Sequence, residues 1–262
     1  EVRTCEPDYY KWTQWLFLLL FKRGLAYQGS STVNWCETCK TILANEQAQD
    51  GACWRCKGPV VKKDLEKCWF FKYTDYAERL LNDLGKLTAW PSNVREMQRH
   101  WIGRSEGCEI GFTCDGRKLT VFTTRPDTVW GVTFVAIAPE HPFAVEIAKT
   151  NPKVAEYIAK AALKSEIERS AIGEKDGVNS GKSVVNPVNG EKVQLWVGDY
   201  VLAGYGTGVV MGVPAHDTRD FAFAKKYGIP IKVVISGGPD PLPDAHTGEG
   251  AMVHSGELTG TP

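Results

Sequence analysis

Two stretches of this 262-residue chain collect side chains that can do chemistry. Thr123-Thr124-Arg125-Pro126-Asp127-Thr128 follows an apolar run and is rich in hydroxyls. A hydroxyl both donates and accepts, so threonines at a strand end suit phosphate, ribose or a reacting water. Pro126 stiffens the turn and biases Arg125 toward an extended backbone. Taken alone, the segment is also ordinary β structure. The second stretch, Gly206 through Asp220, runs from a glycine-flanked apolar strand into a helix start. Its glycines let a ligand approach the backbone closely. Asp217 and Asp220, spaced i, i+3, fall on one side of the first helical turn. They read in two ways. They are a carboxylate pair for an ammonium group or an oriented water, or an N-cap with an acidic N3 residue that serves only the helix. His216 alone reads as a packed histidine before it reads as a base.

A third constellation is Cys36-x2-Cys39-x13-Cys53-x2-Cys56. Two C-x2-C knuckles deliver four soft ligands, the tetrahedral set that Zn(II) prefers. The expectation is a structural zinc, since four cysteines leave no open position; free thiols or two disulfides are the competing readings. Lys40, Arg55, Lys57, Lys62 and Lys63 surround the module, but Glu37 and Asp64 dilute them, which favours a solvated charged face over an RNA-binding one. Cys5, Cys68, Cys108 and Cys114 are scattered, a usage that suits a reducing compartment and hence the cytoplasm, with an organellar origin left open.

These residues need elements to hold them. Hydrophobic content of 43% with 24% charge is globular composition, and 31 basic against 31 acidic residues gives no global case for nucleic-acid binding. The longest apolar run, Trp15–Phe21, is too short to span a bilayer. Residues 1–27 read as one long helix with Asp8 as a cap and Gly24 near its end, Thr32–Trp35 as a short strand, and Tyr73–Leu84 and Asn93–Gln98 as helices. From Cys108 the period shifts toward two. Glu109–Phe112 and Leu119–Phe122 read as strands joined at Asp115-Gly116. Further strands are expected at Val132–Ile137, Val184–Val188, Val193–Val197, Tyr200–Leu202, Gly208–Val213 and Ile231–Ile235, with helical character over 142–171 and Asp217–Tyr227. The tail from Gly237 reads as loop. Two parts follow: residues 1–104, helical with the cysteine module at about 32–68, and residues 105–262, a β-rich α/β domain.

Together these motifs resemble the editing insertion of the class I aminoacyl-tRNA synthetases for branched aliphatic amino acids. TTRPDT (123–128) and YGTGVVMGVPAHDTRDF (205–221) are similar to the two editing signatures of leucyl-tRNA synthetases. WIGRSEG (101–107) resembles the junction that leads into that domain, and residues 9–27 and 33–56 resemble its connective helix and zinc module. GEGAMVHSGELTG (248–260) resembles the stretch that closes the insertion. Asp127-Thr128 after TTRP, and Met211 where the isoleucyl and valyl relatives carry histidine, favour the leucyl branch. His100 departs from the asparagine expected before the junction. No H-x-G-H and no K-M-S-K-S occurs, so the resemblance implies an excised insertion that does not activate amino acids.

The resemblance implies a β-barrel-like mixed sheet with surrounding helices beside a helical zinc-ribbon module. It also implies hydrolysis of mischarged aminoacyl-tRNA-Leu. Asp220 would bind the α-ammonium, with Asp217 beside it, and Thr123 and Thr124 would hold the reacting water or carbonyl. Thr128 would crowd out leucine. Met211 and Val213, on one face of their strand, would form pocket wall beside His216, and Tyr205, Arg125 and Arg219 would contact the terminal adenosine and phosphate. The implied partners are the tRNA-Leu 3′ end carrying a noncognate amino acid and the remainder of a parent synthetase; a monomer is expected. The competing functions are an isoleucyl or valyl editing domain, separated by which tRNA is deacylated, and a zinc-containing tRNA-binding module, which would leave the ester intact.

Overall fold

Pro7 decides where the first helix begins. In the computed structural model, which describes residues 1–49, 51–162, 164, 169, 175–204 and 206–262, α1 runs from Pro7 to Lys22. Pro7 takes the first helical turn, where its missing N–H costs nothing, and Glu6 rather than Asp8 is the N-cap residue. Gly24, at φ 70°, turns the chain out of the helix. The expected helix over residues 1–27 is therefore shorter at both ends, and Ala26–Tyr27 already belong to a strand.

Contacts divide the chain into two units, Glu1–Arg104 and Ser105–Pro262. In the first, β1 (Ala26–Cys36) pairs antiparallel with β5 (Val60–Phe71) from Ala26↔Phe71 to Cys36↔Val60, with a register irregularity between Gly29 and Ser31. The expected strand Thr32–Trp35 is the middle of this longer ribbon. The short strand β2 (Thr41–Leu43) pairs on the other side of β1, and β3 (Ala48–Gln49) with β4 (Ala52–Cys53) forms a separate two-stranded piece. Beyond β5 come a tight turn at Tyr73–Tyr76, α2 (Ala77–Asp83), a second tight turn at Leu84–Lys86, and α3 (Ser92–Ile102).

The second unit is built on a six-stranded sheet. Its strands are β6 (Cys108–Cys114), β7 (Arg117–Thr123), β8 (Phe134–Ile137), β9 (Gly177–Val185), β10 (Lys192–Gly198) and β11 (Val209–Gly212), in the spatial order β11-β8-β10-β9-β6-β7. Only β8 and β10 run parallel; every other neighbouring pair is antiparallel. The β6–β7 hairpin turns through Asp115 (φ 49°) and Gly116 (φ 77°), the pair of positive φ angles a tight right-twisting hairpin needs. The sheet's two end strands approach each other, and Thr207 Oγ1, just before β11, donates to the Thr120 carbonyl on β7. The sheet thus curls toward a barrel.

Period-two alternation fills both faces. On β8, Val135 and Ile137 join one cluster with Phe112, Val121, Val184, Leu195 and Val197. Phe134 and Ala136 join the other with Trp196 and Phe223. The helices given a range among the described residues are α4 (Pro142–Ala148), α5 (Pro152–Ala161) and α6 (Thr218–Tyr227). Asn151 caps α5 by accepting from the Lys153 and Val154 N–H groups, which splits the expected 142–171 helical stretch at Asn151-Pro152. Part of that stretch lies outside the described residues. The expected strand Ile231–Ile235 is reduced to a single bridge between Ile235 and Met252, and Tyr200–Leu202 is a turn, not a strand.

Candidate functional site

The two polar motifs meet because the ends of two strands and the start of one helix converge. β7 ends at Thr123, β11 at Gly212, and α6 begins after Asp217. Gly212 permits this: a Cβ there would lie 2.2 Å from Phe134 Cε1, its neighbour across the β8–β11 register. Between these ends lies a cavity of about 410 Å³, lined among others by Thr123, Thr124, Arg125, Thr128, Met211, Val213, His216, Asp217, Arg219 and Asp220. That size suits a small-molecule group. The expected residues are thus brought together, with Tyr205 outside the described residues.

Asp220 is the buried charge of the site, 8% exposed. Its Oδ2 accepts the Val213 N–H at 2.8 Å. Burial, reinforced by the neighbouring Asp217 charge, pushes its carboxyl up to about 7. Asp217 is the α6 N-cap, its Oδ1 accepting from the Arg219 N–H at 2.8 Å and the Asp220 N–H at 3.1 Å. Burial acts to raise this carboxyl too, but the Arg219 guanidinium, 3.1 Å from Oδ2, and the helix N–H groups outweigh it and hold it low. Capping and a site role therefore coexist: Asp217 caps and stays ionised, and Asp220, freed from capping, faces the cavity.

The threonines differ among themselves. Thr123 Oγ1 accepts the Arg125 N–H at 3.0 Å, which leaves its own proton to donate. Thr124 is exposed in the cavity wall. Thr128 is buried at 2% exposure in the tight helical turn Pro126–Gly131, and its hydroxyl donates to the Arg125 carbonyl at 2.9 Å. Arg125 is forked onto Asp127, with Nη2 to Oδ2 at 2.7 Å. His216 is occupied on both nitrogens. Nδ1 bonds the His246 carbonyl at 2.9 Å, and Nε2 accepts from the Val234 and Ile235 N–H groups at 3.0 and 3.1 Å. That pattern fixes a neutral ring, and burial lowers its pKa further. His216 contributes shape and anchors the 234–246 segment; it has no nitrogen to spare as a base.

Sequence reasoning missed Phe122, Lys175, Tyr200, Val201, Leu202 and Val210, which also line the cavity. Val210 is hidden because period-two alternation puts it on the strand face opposite Met211 and Val213. Tyr200–Leu202 was misassigned as a strand, and nothing in the sequence marks Lys175.

The cysteines assemble separately. The sulfurs of Cys36, Cys39, Cys53 and Cys56 all lie within 4.8 Å of one another. A tetrahedron with metal–sulfur bonds of about 2.3 Å puts its sulfurs about 3.8 Å apart, so the donor set fits a thiolate-bound metal ion. Lys40 (φ 50°) and Lys57 (φ 58°) close the two knuckles in the left-handed region. The Gly58 N–H, 3.4 Å from Cys56 Sγ, leads the interactions that bring that thiol down to about 6, while its hydrogen bond with Cys56 pushes the Cys39 thiol up to about 12.

Comparison with known proteins agrees with this architecture. A family described as "Leucyl-tRNA synthetase, editing domain" matches residues 99–262, and one described as "tRNA synthetases class I (I, L, M and V)" matches residues 1–112. The leucine–tRNA ligase of Thermotoga maritima is 53% identical over 272 aligned residues, covering 100% of this chain and 33% of the relative. That of Petrotoga mobilis is 53% identical, covering 99% of this chain and 32% of the relative. The crystal structure of the ternary complex of Agrobacterium radiobacter K84 AgnB2 LeuRS, tRNA and LeuAMS superposes with a TM-score of 0.68 at 42% identity, over 92% of this chain and 30% of that one. The chain thus spans about a third of the length of the curated relatives it matches. With the editing-domain match covering more than half of its residues, this chain belongs to the leucyl-tRNA synthetase editing-domain family.

Proposed function

We propose that this chain hydrolyses the ester of tRNA-Leu carrying a noncognate amino acid and spares the leucyl ester. The observation that carries the reading is the meeting of the two motifs on one cavity, whose wall includes the buried Asp220 together with Thr123 and Thr124. The physical need is plain: side chains that differ by one methylene are separated by only about 1–3 kcal/mol at a single binding site, too little for faithful charging, and a second sieve multiplies that discrimination.

In this reading Asp220 anchors the α-ammonium and so fixes the ester carbonyl. Thr123 and Thr124 hold the water or the carbonyl. Water adds to the carbonyl carbon, the charge that develops on its oxygen is met by hydroxyl donors, and the ribose oxygen leaves with a proton, giving free amino acid and uncharged tRNA. Met211 and Val213 form apolar wall, Thr128 limits the space for a branched γ-carbon, and Tyr205, Arg125 and Arg219 meet the terminal adenosine and its phosphate. Asp217 keeps Arg219 and the helix start in place. Because Asp220 sits near pH 7 before substrate binds, a cationic ammonium draws it into the ionised form.

The cysteine cluster holds a structural Zn(II), whose role is to cross-link two knuckles in a unit with little core of its own. Four cysteines gathered as a thiolate metal site suit a reducing compartment such as the cytoplasm. No helix among the described residues is long and apolar enough to cross a membrane. The remaining two thirds of the relatives' length, together with the exposed Trp12, Trp15, Leu16, Leu18 and Phe21 of α1, support a parent synthetase body as partner.

The test is hydrolysis of Ile-tRNA-Leu by the chain and by Asp220→Ala. Hydrolysis lost by roughly a hundredfold or more in the variant is expected; undiminished activity removes Asp220 from its role, and no hydrolysis by either protein, alone or in the parent synthetase, contradicts the function.

A further inference from the structure

Asn186 is fully buried, yet it belongs to neither motif and is not among the residues that line the cavity. It directly follows β9, at the head of the turn that leads into β10. A polar side chain taken wholly out of water is costly unless its donors and acceptors are met. Both side-chain polar atoms of Asn186 find partners, and one partner belongs to the turn that carries Thr128.

Its backbone is locked by the turn. The Asn186 N–H donates to the Glu191 carbonyl, and the Asn186 carbonyl accepts the Gly190 N–H, both at 2.9 Å. Oδ1 accepts the Val188 N–H at 3.1 Å. With Oδ1 committed there, the amide presents its Nδ2 donor on the other side. Nδ2 donates to the Val129 carbonyl at 2.9 Å, across 57 residues of sequence. An amide turned over would set oxygen against carbonyl and NH2 against N–H, so one orientation alone satisfies both partners.

Val129 directly follows Thr128 in the tight helical turn Pro126–Gly131. The turn's own bonds run from the Thr128 N–H and hydroxyl to the Arg125 carbonyl, and from the Val132 N–H to the Val129 carbonyl. They fix its shape but not its place against the cavity. Placement comes from the neighbours. At the far end, a Cβ on Gly131 would come within 2.8 Å of a Val234 methyl and 3.3 Å of a Val213 methyl. Beyond it, the Thr133 N–H donates to the Gly212 carbonyl on β11 at 3.1 Å. Next to Thr128 itself, the bond from Asn186 supplies an anchor.

A steric gate works only if it is stiff. A wall that excludes one branched side chain and admits another must be held to within about 0.5 Å. A wall free to yield favours the side chain it had kept out over the one it already fits. We propose that Asn186 is a positioning residue for the exclusion of leucine: through the Val129 carbonyl it holds Thr128 against the cavity. The inference rests on the editing reading with Thr128 as its gate, and it adds the strut behind that gate.

The experiment measures hydrolysis of Leu-tRNA-Leu and Ile-tRNA-Leu by the 262-residue chain and by the parent synthetase, each with Asn186→Ala, Thr128→Ala or both. The readout is the ratio of the leucyl to the isoleucyl rate, which a smaller amount of folded protein leaves unchanged. Asn186→Ala is expected to raise that ratio roughly tenfold. Asn186→Asp, which keeps the acceptor for the Val188 N–H and loses the donor, is expected to raise it as well. In the Thr128→Ala background neither should raise it further, because both changes act on one gate. Val154→Ala, which truncates a fully buried side chain on α5, should lower the melting temperature and leave the ratio alone. A ratio unchanged in both Asn186 variants, an equal rise in Val154→Ala, or a further rise on top of Thr128→Ala overturns the proposal. Thr128→Ala that still spares leucine while cleaving the isoleucyl ester overturns the gate and this inference, and leaves the editing reading standing. A parent synthetase that cleaves neither ester overturns the inference together with that reading.

Discussion

The two units of this molecule are held together by opposite means. In Ser105–Pro262 a sheet with two filled faces buries a continuous apolar set, from Phe112 through Leu195 on one side and Phe134 to Phe223 on the other. In Glu1–Arg104 the three helices α1, α2 and α3 bury no residue at all, and the small core cluster is Cys36, Cys53 and Leu43. The first unit instead leaves Trp12, Trp15, Trp54, Trp90 and Trp101 exposed. An extended hairpin and a cluster of four cysteines mark the first unit, where the second has a filled apolar core. The unit with the self-sufficient core carries the buried carboxylate, because holding Asp220 away from water requires a rigid scaffold around it.

The largest effect expected is on the first unit alone. Metal removal by a strong chelator, or Cys53→Ser, should cost it most of its stability, since structural zinc sites supply on the order of 10 kcal/mol of apparent folding free energy. Limited proteolysis should then cut within residues 1–104 while 105–262 stays intact. Protection of both units without metal would dissolve the comparison.

The next effect separates stability from function within the second unit. Asp220 has a folded pKa of about 7, above its unfolded value. Between those values the native state binds the proton and the unfolded state does not. The contribution of this group to stability is thus greatest at low pH and declines as pH rises through that window. Asp220→Asn keeps an acceptor for the Val213 N–H and removes the buried charge, so at pH 8 its melting temperature should rise by roughly 5 °C while deacylation disappears. A melting temperature that falls would contradict the burial argument.

Activity should carry the same signature with the opposite sign. An ionised Asp220 is the better ammonium anchor, so deacylation by the parent chain should climb as pH rises through about 7. A rate that is flat across that range under single-turnover conditions would detach Asp220 from the rate-limiting interaction.

The sequence made the chemistry more legible than the scaffold. Cys36-x2-Cys39 and Cys53-x2-Cys56 announce themselves by spacing, Asp115-Gly116 by turn chemistry, and Asp217 by its helix-start preference. What was hidden had no periodic signal. The β1–β5 ribbon escaped because Lys62, Lys63, Asp64, Glu66 and Lys67 make a strand without an apolar face. Helix α1 was drawn too long because Ala26–Tyr27 continue its apolar content, while Pro7 and Gly24 set its limits. Tyr200–Leu202 has strand-like composition but is held as a turn by Tyr157 and Arg169, contacts far away in sequence.

The smallest structural effect and the sharpest functional one coincide at Thr128. Its hydroxyl makes a single bond, to the Arg125 carbonyl, so Thr128→Ala should cost only about 1 kcal/mol of stability. If the second unit is a sieve, that small change should alter what passes. The most direct test of the account is hydrolysis of Ile-tRNA-Leu and Leu-tRNA-Leu side by side, by the parent chain and by Thr128→Ala. The account predicts that the parent chain cleaves the isoleucyl ester and leaves the leucyl ester intact, and that the variant cleaves both. Equal cleavage of the two esters by the parent chain, or continued sparing of leucine by the variant, would contradict it.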